Sequence, residues 1–175
     1  MKYFKKIEGK NLYLSPISEE DVIKYTEWMN DFKVTDGINM STKLIDIKSE
    51  KEWFNNNKDM VFAIVKNNDE LIGNISLNKI NHLDRTAEIG ICIGNENNRG
   101  KGYGSEALSL IIKYAFDYHN LNNIMLRVYS FNKQAIKCYE KVGFKVFGVR
   151  NNCHFCKGEY CDEIYMQIIN EFRKE

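Results

Sequence analysis

Ala87-Glu88-Ile89-Gly90-Ile91-Cys92-Ile93 runs through Gly94-Asn95-Glu96-Asn97-Asn98 into Arg99-Gly100-Lys101-Gly102-Tyr103-Gly104. The first seven residues form an apolar β run, and the last six set three glycines beside two cations. Glycine takes turns that other residues resist and lets a ligand approach the main chain closely. A helix predicted from about Ser105 to His119 follows, and its first N–H groups and positive dipole end add to the charge of Arg99 and Lys101. The stretch reads as strand, anion cradle, helix. The anion it suits is a phosphate or pyrophosphate.

Spacing rules out a P-loop and leaves a dinucleotide fingerprint weak. A P-loop keeps four residues between its first glycine and the Gly-Lys pair, then places Ser or Thr. Here Gly94 and Gly100 stand too far apart, and Gly102 follows Lys101. A dinucleotide fingerprint requires a third glycine where Ser105 stands, and no βαβ unit opens the chain there.

Working outward, Ala107, Leu108, Ile111, Ile112, Ala115 and Phe116 mark one apolar helical face that packs on a sheet. Ile124 to Tyr129 is a strand. Asn132 opens a further helix to about Val142, stopped by Gly143. Phe144 to Val149 and Ile164 to Ile169 are the closing strands, joined across Lys157-Gly158.

Toward the N-terminus, Met60 to Val65, Leu71 to Leu77 and Ala87 to Ile93 form a meander. Leu12-Tyr13-Leu14 is a strand closed by Pro16, and Ser18 caps a first helix presenting Val22, Tyr25 and Trp28. A short helix from about Glu50 to Asn57 presents Trp53 and Phe54. The predicted order is β-α-α-β-β-β-α-β-α-β-β, an α/β (α+β mixed sheet) fold in one domain spanning 1–175.

The chain has 175 residues, enough to bury a core, with 25 basic against 24 acidic side chains. That balance carries no nucleic-acid footprint. No run reaches the roughly 18 apolar residues of a membrane span, and no export signal opens the chain, so no membrane association and a cytoplasmic location are expected.

Five cysteines without an export signal argue against a disulfide framework. Cys153, His154, Cys156 and Cys161 have ligand-like spacing, and a turn at Lys157-Gly158 puts His154, Cys156 and Cys161 on one hairpin face. A second C-x-x-C half and a fourth ligand are missing, so reduced thiols and no metal are expected.

Four pieces stand in fixed order: the strand Ala87 to Ile93, the loop Arg99-x-x-Gly102-x-Gly104, the cap Asn132, and Ala135-x-x-x-Tyr139-Glu140-Lys141-x-Gly143-Phe144. Together they resemble the GNAT superfamily of acetyl-CoA-dependent N-acetyltransferases, most specifically from Glu88 to Phe144. Gly9-Lys10-Asn11-Leu12 leading to Pro16 and Glu20-Asp21 resembles the branch of ribosomal-protein N-terminal and spermidine acetyltransferases. Ile80-Asn81-His82, Arg85 and Ala87-Glu88 lean toward the spermidine type.

The resemblance implies the GNAT-type acyl-CoA N-acyltransferase fold, with acetyl-CoA as co-substrate and direct attack by a primary amine in a ternary complex. The cofactor pyrophosphate is expected on the N–H groups of Gly100, Lys101, Gly102, Tyr103, Gly104 and Ser105, with charge from Arg99 and Lys101 and a further contact from Asn132. Main-chain groups of Ile91, Cys92 and Ile93, where the strand splays, are expected to pair with the pantetheine amides.

An alkylammonium with a pKa of about 10 is nucleophilic in only about one molecule per thousand at neutral pH, so a base is needed. Glu88 is the candidate, through water and with a raised pKa, against an ion-pair role beside Arg85 or Lys79. Tyr139 is the implied general acid toward the departing thiolate, since a phenol is protonated at neutral pH. His119, at a helix end, suits a structural cation. Cys138 gives a covalent acyl-enzyme little support.

Glu27, Trp28, Asp31 and Trp53, with Asp36, Asp59, Glu159 and Asp162 behind them, suit a cationic small-molecule amine such as a polyamine. A protein N-terminus and an aminoglycoside or amino sugar are the rival acceptors. A non-catalytic acetyl-CoA-binding module is the reading from another class. The exposed sheet edge and terminal hairpin leave room for a homodimer.

Overall fold

Ser15 and its neighbours Leu12, Tyr13 and Leu14 are all buried, and so are five consecutive residues from Val61 to Val65. Such unbroken burial marks strands covered on both faces, and it places them inside the sheet. The computed structural model describes residues 2–57 and 60–171. Its strands form one eight-stranded mixed sheet with the order β1-β2-β3-β4-β5-β6-β8-β7. These strands are β1 (Ile7–Glu8), β2 (Leu12–Pro16), β3 (Val61–Lys66), β4 (Leu71–Asn81), β5 (Thr86–Ile93), β6 (Asn123–Tyr129), β7 (Lys145–Cys156) and β8 (Glu159–Ile169). The helices are α1 (Val22–Met29), α2 (Phe32–Thr35), α3 (Ile47–Asn57), α4 (Tyr103–Asp117) and α5 (Lys133–Val142). The mixed α/β class expected from the sequence is the class found. Among the described residues no helix is long and apolar enough to cross a membrane.

The chain forms two compact units, one from the segment up to Ser76 with Ile91–Leu110, the other from Leu77–Gly90 with the segment from Ile111 onward. In the first unit β1, β2, β3 and β4 pair antiparallel in sequence. Tyr25, Trp28, Val34 and Cys92 make one core cluster there, and Tyr3, Tyr13, Ala63 and Val65 another. Gly94 admits Trp28 to the first cluster, because a Cβ at Gly94 would stand 2.0 Å from the indole. In the second unit β8 lies between β6 and β7, antiparallel to both, while β5 runs parallel to β6 over Thr86–Glu88. Ile111, Ala115, Leu121, Ile124, Leu126 and Met166 are its buried apolar residues.

Several boundaries differ from the sequence reading. The observed order adds β1 and the single-turn α2, and no periodic pattern can announce elements of two and four residues. Asp31 caps α2 by accepting from the Lys33 amide at 2.9 Å. α3 starts at Ile47, three residues before the expected Glu50, because Asp46 accepts from the Ser49 amide at 2.7 Å. Ser18 makes no side-chain cap, and a short 3-10 turn over Glu19–Asp21 leads into α1 instead. Asp21, buried, accepts from the Tyr3 hydroxyl at 3.0 Å and pairs with Lys2 at 2.5 Å. α4 begins at Tyr103 rather than Ser105, and β4, β7 and β8 run longer than their apolar cores.

Candidate active site

In the first unit, Gly100 at φ 73° and Gly102 at φ 89° hold the left-handed backbone that side chains resist. A Cβ at Gly102 would meet nothing within 4 Å, so the loop stands open above it. The first helical amide bonded back is that of Glu106, to the Gly102 carbonyl at 3.0 Å. The amides of Tyr103 and Gly104 therefore precede the helical ladder at the positive end of a fifteen-residue helix. Lys101 is exposed. These features fit the phosphate cradle read from the sequence.

Arg99 is held by the main chain. Its guanidinium donates to the carbonyls of Ile93 at 2.9 and 3.1 Å, Lys33 at 2.9 Å and Gly94 at 3.4 Å. A fork donating to three carbonyls ties the loop to the end of β5 and to α2, and its charge reaches the cradle as a background field. The Ile93 carbonyl is thereby engaged. Burial, partly offset by the Arg99 charge, pushes the thiol of Cys92 up to about 12, which leaves it an inert core residue. The β5–β6 register ends at Glu88, before Ile91, Cys92 and Ile93, in keeping with a splayed strand.

In the second unit, a cleft of about 610 Å³ is lined by Lys79, Glu88, Arg127, Phe147, Tyr165 and Gln167, among others. Glu88 accepts from Arg127 Nε at 2.7 Å and pairs with Lys79 Nζ at 2.8 Å. Arg127 reaches Glu163 at 3.5 Å, and Glu163 accepts from the Tyr165 hydroxyl at 2.7 Å. Burial alone would raise the Glu88 carboxyl, but hydrogen bonds and charge from Lys79 and Arg127 outweigh it and hold the group below the usual range. This corrects the expected raised pKa. The partners are Lys79 and Arg127, whereas Arg85 turns away to donate to the Asn120 carbonyl at 2.7 Å.

Also in the second unit, Asn132 caps α5, its side chain accepting from the Ala135 amide at 3.2 Å. Gly143 at φ 111° ends the helix, its amide reaching the carbonyls of Tyr139 and Glu140. Tyr139 lies in that helix, 9% exposed, its ring 6.1 Å from Phe144 in an edge arrangement. α4 ends before His119, whose pKa is lowered by burial and by the charge of His82, so His119 is no helix-end cation. His154 pairs with Cys161 across β7 and β8, and its ring stacks on Tyr129 at 3.9 Å. Among the described residues no group of three or more His, Cys, Asp or Glu side chains is arranged to hold a metal.

The four acceptor candidates do not form one anionic cluster. Trp28 is core, 5% exposed. Glu27 pairs with Lys24 at 3.0 Å, Asp31 is the α2 cap, and Trp53 is half-buried against Tyr25. Asp36 is buried, Asp162 accepts from the Asn152 amide and Glu159 is exposed, while Asp59 lies outside the described residues. Sequence reasoning passed over Arg127, Glu163 and Tyr165. Strand alternation could have found them, since Arg127 stands between buried Leu126 and Val128, and Glu163 and Tyr165 flank Ile164.

The GNAT acetyltransferase domain family matches residues 11–145. An uncharacterized N-acetyltransferase, p20 of Bacillus licheniformis, is 30% identical over 165 residues, 90% of this chain and 91% of its own. The spermidine N(1)-acetyltransferase of Escherichia coli is 37% identical over 105 residues, which cover 60% of this chain and 56% of that enzyme. A crystal structure of spermidine N-acetyltransferase from Vibrio cholerae, in complex with CoA and spermine, superposes with a TM-score of 0.84 at 25% identity, covering 92% of this chain and 96% of that one.

Proposed function

This chain belongs to the GNAT acetyltransferase family and is an N-acetyltransferase, and from that premise we propose that it acetylates a polyamine such as spermidine with acetyl-CoA. The cradle opening α4 is the observation that carries the acetyl-CoA reading. Left-handed glycines, an open side over Gly102 and the amides of Tyr103 and Gly104 suit a pyrophosphate, with the exposed Lys101 as counter-charge. Ile91 and Cys92, past the end of the β5–β6 register, are the segment suited to the pantetheine arm. When bound, acetyl-CoA supplies an activated thioester, and the rest of the chemistry falls to this chain's residues.

Tyr139 gives its phenolic proton to the departing sulfur. Glu88 stays ionised at neutral pH between Lys79 and Arg127, and it is the candidate that takes, through water, the proton the amine sheds, although a lowered pKa makes it a weak base. Asn132 holds the first turn of the helix that carries Tyr139.

The polyamine assignment is supported by the two spermidine acetyltransferases described above, one similar in sequence over 60% of this chain and one in fold. CoA release, followed with acetyl-CoA against spermidine, a panel of N-terminal peptides, aminoglycosides and amino sugars, tests it. Spermidine is expected to give the highest kcat/KM. A higher value with any other class replaces the polyamine by that class, and no CoA release with any amine assigns the chain to a non-catalytic acetyl-CoA-binding role.

A further inference from the structure

The side chain of Lys79 is 73% exposed, yet its Nζ lies 2.8 Å from Glu88 Oε2. Its backbone stands at φ 51° inside β4, a left-handed conformation that a residue with a Cβ resists. The alternation of β4 breaks at the same point. Ile75 and Leu77 are buried with Ser76 half-buried between them, and then Asn78 and Lys79 are exposed in succession. An irregularity of this kind re-aims a side chain, and here the side chain ends on Glu88 in the cleft. Lys79, Glu88, Met125, Arg127, Phe147 and Tyr165 all line that cleft and all belong to the second unit.

The two cations on Glu88 are held unequally. Arg127 takes Oε1 through Nε at 2.7 Å and extends to Glu163 at 3.5 Å, so it is fixed from two sides. Among the described residues Lys79 pairs with Oε2 alone, at the end of an exposed and flexible stem. An exposed ion pair is worth little, and holding a lysine stem in one geometry costs side-chain entropy. Oε2 is therefore the oxygen whose partner exchanges at least cost. The group standing on it is a primary ammonium on a four-carbon chain, which is what an alkylamine acceptor brings. Met125, Phe147 and Tyr165 supply apolar surface for such a chain, the last two with ring centroids 6.1 Å apart.

We propose that Lys79 occupies the acceptor's own ammonium seat, as an internal competitor that the incoming amine displaces from Glu88 Oε2. Lys79 turns out into solvent as the amine arrives. One ammonium replaces another, so Glu88 keeps two cations throughout and no charge is left unpaired. The inference rests on the reading of Glu88 as the group that meets the amine, and not on which amine is acetylated. Lys79 thereby sets how tightly the amine is held.

Calorimetric titration of spermidine into wild type, Lys79→Met, Glu88→Gln and the double variant tests the assignment. Methionine keeps a Cβ, so the backbone at φ 51° is no more strained than before. Lys79→Met is expected to lower the spermidine Kd about fivefold, the worth of an exposed ion pair that no longer has to be broken. Glu88→Gln is expected to raise it about 30-fold or more. In the Glu88→Gln background, Lys79→Met is expected to change it by no more than about 1.5-fold, because the seat is gone. Unchanged or weaker binding by Lys79→Met overturns the proposal. So does tightening of equal size in both backgrounds, which marks a general field of the charge, and so does the absence of spermidine binding to wild type and Lys79→Met alike. Spermidine that binds Glu88→Gln as tightly as wild type removes Glu88 from the amine site and the proposal with it. Faster acetylation of another amine class replaces the polyamine reading alone, since titration reads the seat without turnover. A Lys79→Met protein that melts as wild type does excludes misfolding as the cause, and Lys79→Gln serves as the variant if it does not.

Discussion

Tyr139 and Glu88 show how far a residue's type fixes its role. Tyr139 sits in α5 between a cap at Asn132 and a left-handed glycine at Gly143, so its backbone is held from both ends. Replacing it with Phe removes one oxygen from a ring packed against Phe144 and leaves that packing intact. Tyr139→Phe is expected to lower kcat by about 100-fold, within the usual range for a general acid, with acetyl-CoA affinity within about threefold. Steady-state rates and calorimetric titration check both, and an unchanged kcat removes Tyr139 from the acid role. Glu88 was legible as a carboxylate on the central strand. Its two cations were not, because Lys79 and Arg127 lie on neighbouring strands, and Arg127 is 39 positions away in sequence. Local pattern carries no information about which strands become neighbours.

At the scale of elements, Lys79 on β4, Glu88 on β5, Arg127 on β6 and Glu163 on β8 alternate in sign across four adjacent strands. Glu88 titrates lower in the folded chain than in the unfolded one, so its stabilising contribution is complete above the ordinary carboxylate range and disappears as pH falls through its depressed value. Among the described residues, Arg127→Met leaves Lys79 as the cation paired with Glu88. Because Arg127 is half-exposed, solvent screening keeps the expected loss to about 1 kcal/mol near pH 7, with little difference between the proteins near pH 2. Denaturant unfolding at both pH values checks this, and an equal loss at both would assign the effect to packing.

Elements with a strong local signature were readable in advance. The glycine loop, the Asn132 cap and the Gly143 stop each satisfy backbone groups within a few residues. β1, α2 and the true start of α3 were not, since a ladder across strands and Asx caps at Asp31 and Asp46 decide them. Glu50 read as an ordinary polar residue opening a helix. Its burial shows only in the folded chain, where α1 packs on α3.

For the whole molecule, the described parts fall into the glycine loop that opens α4 in one unit and the Tyr139 helix with the Glu88 ladder in the other. Neither Cys92 nor Cys161 has the setting of an acyl carrier: Cys92 is buried with its thiol pushed up to about 12, and burial also raises Cys161. The acetyl group is therefore expected to pass straight from acetyl-CoA to the amine. Initial rates over a grid of acetyl-CoA and spermidine concentrations test this most directly. The account predicts double-reciprocal lines that intersect, as a ternary complex requires, with one CoA released per acetylated amine. Parallel lines, marking a covalent acetyl-enzyme, would contradict it.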